Sequence, residues 1–414
     1  MSYEEARDVV LSMQSIPLEP PPRKMDDILS LLDSTQYAGQ DYMAELLRQA
    51  DTPVPLNLSR SDLIQFYKSR GTARYELNRF KDSGNDFHWA MDLDKSAERQ
   101  DSNLYNRLAL LEMYAGRYET ALDLSKTAMD MTRGRGWHRG PDKAFHSRIQ
   151  HRMGNFWLAG QSIIMAKQYY RKIPSWARLS LSQYGADETI GNENDIIAAE
   201  AELFEAQGQY VQAYSLRSRA LNYYYSKRKE RPLGAVYARL DLAGNLMHLG
   251  RLVDAEREAR MAASEAMDLY GKNAAVTAAA LQVLGGVMLA KGDLPNADIL
   301  SATQVEILEQ LELSIEEDIM IRARLTRADV LSAAYNFAAA MDAYDGALAG
   351  MQNNPYLYRR YTGHNPGLIL CLIKNNRIPE ARNLINETRG FNQRFGLQTS
   401  YDSAEIVALE ALIL

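Results

Sequence analysis

The sequence predicts an all-α solenoid of about eight helix pairs behind an N-terminal helical cap. Three observations carry that prediction. Apolar residues recur at helical spacing along the chain, and strand-type alternation is absent. A small residue after a turn recurs as Ser83, Ala121, Ala166, Ala213, Ala255, Ala297, Ala340 and Ala381. The gaps between them, 38, 45, 47, 42, 42, 43 and 41 residues, are nearly constant. A fixed period in this range marks a repeat architecture, in which each helix pair buries its apolar face only against the next pair.

The clearest copy runs from Tyr270 to Leu313. Leu281, Leu284, Val287 and Met288 share one side of a first helix, and Gly285-Gly286 lets a neighbour approach closely. Gly292-Asp293-Leu294 breaks that helix, and a second begins near Asn296-Ala297. The same pattern appears in repeat one from Ser61 (Phe66, Gly71, Tyr75, Phe80, Phe87) and repeat two from Ser102 (Tyr105, Leu108, Gly116, Ala121). It continues in repeat three from Arg148 (Met153, Gly154, Trp157, Ala166), and repeats four and five carry Gly208 and Gly250 at the turn. Repeat seven carries Phe337, Ala340 and Tyr344, and repeat eight runs from Thr362 through Ile378 and Ala381.

Residues 1–60 lie outside this period and read as the cap. Short helices are expected at Tyr3–Met13, Met25–Leu32 and Asp41–Gln49. The consecutive prolines Pro20-Pro21-Pro22 force an extended stretch, since they fix φ and lack donors. The array proper spans 61–400. Residues 401–414, with AEIVALEALIL, form a trailing apolar helix without a partner, expected to begin a further repeat or domain.

Composition bounds the function. At 46% hydrophobic and 24% charged residues, the 414-residue chain matches a folded protein. That length suggests two or three globular domains, but repeat arrays grow in one dimension. The net charge of −6 argues against a general nucleic-acid or anionic-membrane binder. No apolar run approaches the roughly 18 residues that span a bilayer. The opening MSYEEARDVVLSMQ lacks the basic start and apolar stretch of a signal peptide. The chain therefore reads as soluble, cytoplasmic or exported with a signal already removed. One cysteine, Cys371, excludes an internal disulfide framework and a multi-thiolate zinc site.

These residues resemble tetratricopeptide repeats: a small residue midway in helix A, a Gly-x-aromatic turn, then alanines in helix B. The spacing near 42, against the family's usual ~34, is similar to the longer-helix variety of kinesin light chains. YGKNAAVTAAALQVLGGVMLAKGDLPNAD and PPPRKMDDILSLLD also look like repeats that precede caspase-like CHAT peptidase domains in bacteria. The resemblance implies a right-handed superhelix that binds a protein or peptide on its concave face, as the recognition or regulatory region of a larger bacterial protein. Two alternatives stay open: a region presenting or gating substrate for a CHAT-type cysteine peptidase, and the ligand-sensing arm of a transcription regulator. The His–Cys pair of CHAT peptidases sits in a separate α/β domain that residues 1–414 do not supply, so this chain is expected to be no enzyme.

Local chemistry agrees with that expectation. None of the six histidines falls in H-E-x-x-H or another metal spacing. His146 and His151, five apart, belong on different helix faces. Neither a metal nor a cofactor is expected. Cys371, among Leu368, Ile369, Leu370, Leu372 and Ile373, reads as a buried inert thiol. Gly134–Gly140 lacks the preceding strand of a phosphate loop and reads as an inter-repeat loop. Glu316-Glu317-Asp318 reads as a solvated helix start that suits the macrodipole.

Charge is unevenly placed. From Thr132 to Arg178 there are ten Lys/Arg and one acid, Asp142; from Leu179 to Leu216 there are seven acids and no Lys/Arg. This sign change is either two solvated helix faces or a polarised groove that orients a charged peptide. In the family, helix A lines the groove. By that resemblance Lys68, Thr72 and Tyr75 (repeat one), Asn106 and Arg107 (repeat two), and Arg148, His151, Arg152 and Asn155 (repeat three) face one trough. The set looks like a carboxylate clamp, in which an Arg fork matches a carboxylate. It departs from that clamp at Thr72, where Asn is usual. The implied partner is a protein or peptide, acidic or with a free C-terminal carboxylate. The Trp137 loop and the Ile173–Asp195 link are placed either to fold over the groove or as surface connectors.

Overall fold

The structure, a computed structural model, describes residues 28, 39–94, 101–132, 139–172, 193–226, 232–363, 365–395 and 401–413. The expected helices at Tyr3–Met13 and Met25–Leu32 (Ile28 apart), the proline run, the Trp137 loop and most of the Ile173–Asp195 link lie outside the described residues. Among the described residues, the helix α1 (Gln40–Asp51) lies before eight pairs. These are α2 (Arg60–Glu76) with α3 (Phe80–Asp94), α4 (Ser102–Tyr114) with α5 (Tyr118–Met131), α6 (Arg139–Arg152) with α7 (Phe156–Arg171), and α8 (Glu193–Ala206) with α9 (Tyr210–Ser226). They continue as α10 (Pro232–His248) with α11 (Leu252–Tyr270), and α12 (Ala275–Ala290) with α13 (Leu294–Gln310). The last two are α14 (Asp318–Ala333) with α15 (Phe337–Met351), and α17 (Pro366–Lys374) with α18 (Ile378–Phe395). A short helix, α16 (Pro355–Thr362), intervenes before the last pair, and α19 (Tyr401–Ala411) follows it.

Every pair turns in the same way. Two residues before each B helix the backbone enters the left-handed region, at Asn78, Gly116, Gly154, Gly208, Gly250, Gly292, Tyr335 and Asn376, with φ between 56° and 81°. Glycine and asparagine tolerate this region best, and it stops helix A and reverses the chain. Five residues further on lies a side chain with 0% exposure: Ser83, Ala121, Ala159, Ala213, Ala255, Ala297, Ala340 or Ala381. Only a small residue fits where helix B crosses helix A. In the first pair, Ser83 Oγ donates to Gly71 O at 2.7 Å, and a Cβ on Gly71 would come 2.9 Å from the Phe87 ring.

This rule corrects the third repeat. Ala166 is buried, but it sits two helical turns past Ala159, the true equivalent. The gaps around it become 38 and 54 residues, so the added length falls in the connection between α7 and α8. Trp157, placed in the repeat pattern by sequence, is 73% exposed.

The array closes on itself. Ile28, Met43, Leu46 and Ala50 share one hydrophobic cluster with α10 to α14. Gly39 N donates to Asp268 O at 2.6 Å, and Tyr42 meets Tyr270 edge to face at 5.9 Å. The N-terminal helix therefore packs on the fifth repeat as well as the first. At the other end, Met113, Tyr118, Ala121 and Ile149 share a cluster with α14, α15, α17 and α18. The joint is α16. Leu357 is buried against Gly116, Asn354 Nδ2 donates to Gly116 O at 2.9 Å, and Tyr356 OH donates to Glu119 at 2.8 Å. The trailing helix is not unpartnered: α19 packs on α17 and α18 and buries Ile406.

Candidate functional site

Closure turns the expected open trough into an axial cavity of about 1750 Å³. Its wall is supplied mainly by the A helices α2, α4, α6, α8, α10 and α14, with α3, α9 and α16 completing it. Of the residues projected onto the groove, Thr72, Tyr75, Asn106, Arg107, Arg148, His151 and Arg152 line this cavity. Lys68 and Asn155 are not in that wall. Lys68 Nζ is held by Asp101 at 2.8 Å, and Asn155 is exposed at the α6–α7 turn, its Nδ2 donating to Gln150 at 2.9 Å. Of the lining residues, Arg107 Nη1 donates to Thr72 Oγ1 at 3.1 Å, and Asn106 Nδ2 to Asp142 Oδ1 at 3.2 Å.

The charge blocks of the sequence meet across α6, α7 and α8. Arg148 Nη2 pairs with Glu202 Oε1 at 2.8 Å, and Lys167 pairs with Glu200. The sign change is thus a set of ion pairs between successive repeats, with one of them facing the cavity. Next to it, Arg217 bridges Glu205 (2.6 Å) and Asp241 (2.8 Å), tying repeat four to repeat five. Glu202, Glu205, Arg217, Asp241, Asp318, Arg322 and Arg360 all line the cavity, and the sequence reading missed them as site residues. The projection stopped at three repeats, whereas closure brings repeat seven and α16 to the same wall. Asp318 also corrects the reading of a solvated helix start: Glu316 is exposed, but Asp318 is buried and accepts from Tyr361 OH.

Burial and neighbouring charges set the ionisation of this wall. Burial alone would raise the Glu202 carboxyl, yet Arg148 and Arg152 hold it well below the usual carboxylate range. Asp318 follows the same logic, lowered by Arg322, Arg360 and Arg152 against its burial. Burial dominates at Asp241, whose pKa is raised despite Arg217. Burial also pushes His151 down to about 3, with Arg152, Arg360 and Arg148 reinforcing it and Glu202 opposing it. His151 is therefore neutral near pH 7, and its 4.0 Å approach to Glu202 is a polar contact and not an ion pair. Several buried polar atoms of the wall lack hydrogen-bond partners: Asn106 Oδ1, Arg148 Nε, His151 Nδ1, Arg152 Nε and Glu202 Oε2.

His146 lies elsewhere, buried near Ser125 Oγ at 3.4 Å, so the two histidines do sit on different faces. Cys371 is a buried thiol whose pKa burial raises. Among the described residues, no three His, Cys, Asp or Glu side chains group to hold a metal ion, and no helix is long and apolar enough to cross a membrane.

Stacked helix pairs that share this turn and small-residue rule define an all-α superhelix of the tetratricopeptide type. No protein-family model matches the chain, and no curated protein matches it in sequence. Among solved structures, the chain is similar to the APC/C hetero-tetramer Cut9–Hcn1, at 14% identity over 99% of this chain and 67% of that one, TM-score 0.49. A Rap protein complexed with competence and sporulation factor is similar at 16% identity over 85% and 99%, TM-score 0.48. A tetratricopeptide repeat protein from Parabacteroides merdae is similar at 12% identity over 75% and 99%, TM-score 0.39. These are likenesses of fold.

Proposed function

We propose that the chain is a binding scaffold for a protein or peptide ligand and that a peptide segment enters the axial cavity. The observation that carries this reading is the cavity wall itself. Its volume of about 1750 Å³ exceeds the roughly 300–1,000 Å³ of drug-sized sites. Buried polar atoms left without partners line it, and each costs free energy until something pairs with it. A backbone with regularly spaced amides and carboxylates supplies such partners. The ligand that we infer is acidic or carries a free C-terminal carboxylate, because Arg152 lines the cavity without an ion pair among the described residues. Binding, rather than catalysis, fits a wall whose one cavity-facing imidazole at repeat three stays neutral and whose cysteine is buried elsewhere.

The test is calorimetric titration of a free-acid peptide pool against its C-terminally amidated counterpart. The free acids should bind more tightly. Each desolvated charged hydrogen bond contributes about 1.5–3 kcal/mol, and less where the cavity is wet. Affinity should fall with added salt, since screening acts beyond roughly 8–10 Å. Arg152→Ala should weaken binding, whereas Arg257→Ala, on an exposed face of α11, should not. Equal affinity for both pools, insensitive to salt, would dismiss the carboxylate reading.

A further inference from the structure

The B helices differ sharply in what they turn to solvent. On α5 the exposed side chains are all polar, among them Glu119, Asp123 and Lys126. Helices α9, α11 and α13 each expose a single large apolar side chain, Val211, Val253 and Ile299. Helix α7 exposes four: Trp157 (73%), Leu158 (43%), Ile164 (50%) and Met165 (39%). From Trp157 to Gln168 no exposed residue of α7 carries a charge; Lys167 is partly buried in its ion pair with Glu200. The helix meets the cavity wall only through Phe156 in its first turn, so this apolar face points away from the axial cavity.

The order of these residues is symmetric about Gln161, itself exposed. Trp157 and Leu158 lie four and three positions before it, and Ile164 and Met165 lie three and four positions after it. At 3.6 residues per turn, all five side chains fall within roughly 60° of one line along the helix. A second α7 laid antiparallel, with a two-fold axis beside Gln161, brings Trp157 and Leu158 of one copy against Ile164 and Met165 of the other, twice over. That self-complementarity is what an isologous interface requires. At the axis the two Gln161 amides meet, each able to donate to and accept from the other. Trp and Met are enriched at the centre of such interfaces, and charged residues are depleted there. The four apolar side chains expose roughly 400 Å², the scale of the largest patch on an ordinary monomer. A stable interface buries about 800 Å² per partner, so the stripe supplies about half of it as an apolar centre with polar surface left for the rim. We infer that the outer face of α7 is a homodimer interface, on which a second copy of this chain docks about a two-fold axis at Gln161. The dimer leaves both axial cavities uncovered by α7, and it stands apart from the peptide-binding role.

The test is sedimentation velocity of the full chain at micromolar concentrations with no ligand added. The native chain should sediment as a dimer. Trp157→Glu should weaken association about tenfold or more, with its urea midpoint close to native because the ring is exposed in the single chain. Adding Ile164→Lys to Trp157→Glu should recover part of the lost association, because the two-fold axis sets position 157 of each copy beside position 164 of the other. In a Cys371→Ser background with copper phenanthroline as oxidant, Gln161→Cys should form a disulfide between two chains. Gln168→Cys should not: it lies about 10 Å further along the helix, so its two copies stand about 20 Å apart, beyond disulfide reach. A native chain that stays monomeric would overturn the proposal, and Trp157 shielded within that monomer would assign the face to another segment of the chain. A dimer that Trp157→Glu leaves intact would overturn it as well. Equal cross-linking at positions 161 and 168 would overturn the axis at Gln161.

Discussion

Between α11 and α13 the helices meet through alanine. Ala255, Ala259, Ala262, Ala263 and Ala266 on α11, with Ala278 and Ala280 on α12 and Ala297 on α13, all have 0% exposure. Around the cavity, the same kind of helix presents Arg148, Glu202, Arg217 and Asp241. In the alanine seam, side chains lose almost no rotamer entropy, and the backbones approach until no added volume fits. In the cavity wall, charges are desolvated and paired incompletely, so stability is given up where a ligand can restore it. One region fixes the curvature of the array; the other uses the space that curvature encloses.

Breaking the seam should cost the most. Ala297→Trp should lower unfolding free energy by about 1–3 kcal/mol, read from the urea midpoint, because the tight crossing has no room for an indole. Arg152→Gln in the cavity wall should stay within about 0.5 kcal/mol of the native chain, since no ion pair is lost. A larger loss from Arg152→Gln than from Ala297→Trp would invert the comparison.

The turn rule gives an intermediate effect. Gly292 has φ 76° with open space around its missing side chain, so Gly292→Ala should cost about 1 kcal/mol from backbone conformation alone. Tyr335 occupies the equivalent left-handed position at φ 61° and is 82% exposed. Tyr335→Gly should therefore leave stability unchanged or raise it by a few tenths of a kcal/mol, as the relieved strain offsets glycine's larger unfolded-state entropy. A clear loss of stability in Tyr335→Gly would mean its ring packs usefully against Phe337, 6.0 Å away.

A smaller effect should appear in the pH profile, where the two kinds of environment act in opposite senses. Burial pushes the Asp329 carboxyl up to about 6 against the hydrogen bond that Tyr344 donates to it. The folded state then holds its proton longer than the unfolded state, so stability falls as pH rises from the ordinary value near 3.8 through about 6. Asp329→Asn should remove that fall. Glu202, held below the ordinary range, contributes stability that is present at neutral pH and lost only as pH drops through its lowered value. Melting temperatures of Asp329→Asn and native chain between pH 4 and 7 check the first; parallel curves would contradict it.

The repeat was legible in the sequence because it is local. A left-handed residue, then a small buried residue five positions later, lies within one turn and its flanking helices. The register slip from Ala159 to Ala166 arose because both alanines lie on the buried side of α7, where small residues two turns apart look alike. The short helix α16 was missed: Pro355 and Pro366 bracket a segment of eight helical residues, too brief for periodicity to show. Half of the cavity wall was hidden for a different reason. Arg152 and Arg360 are separated by four whole repeats, and nothing local to either announces that winding brings them together. The same distance explains Asp318, whose burial depends on Tyr361 and Arg360 from outside its own helix pair.

Closure of the superhelix through α16 is the claim on which the cavity and the proposed peptide-binding role both depend. It is tested most directly by placing cysteines at Glu119 and Tyr356, whose side chains hydrogen-bond at 2.8 Å although 237 residues separate them. In a Cys371→Ser background, a short bis-maleimide reagent should link the two positions within one chain at high yield. Denaturant should abolish that link. Failure to form it in the folded protein, with both thiols reactive, would contradict closure and leave an open array with no axial cavity.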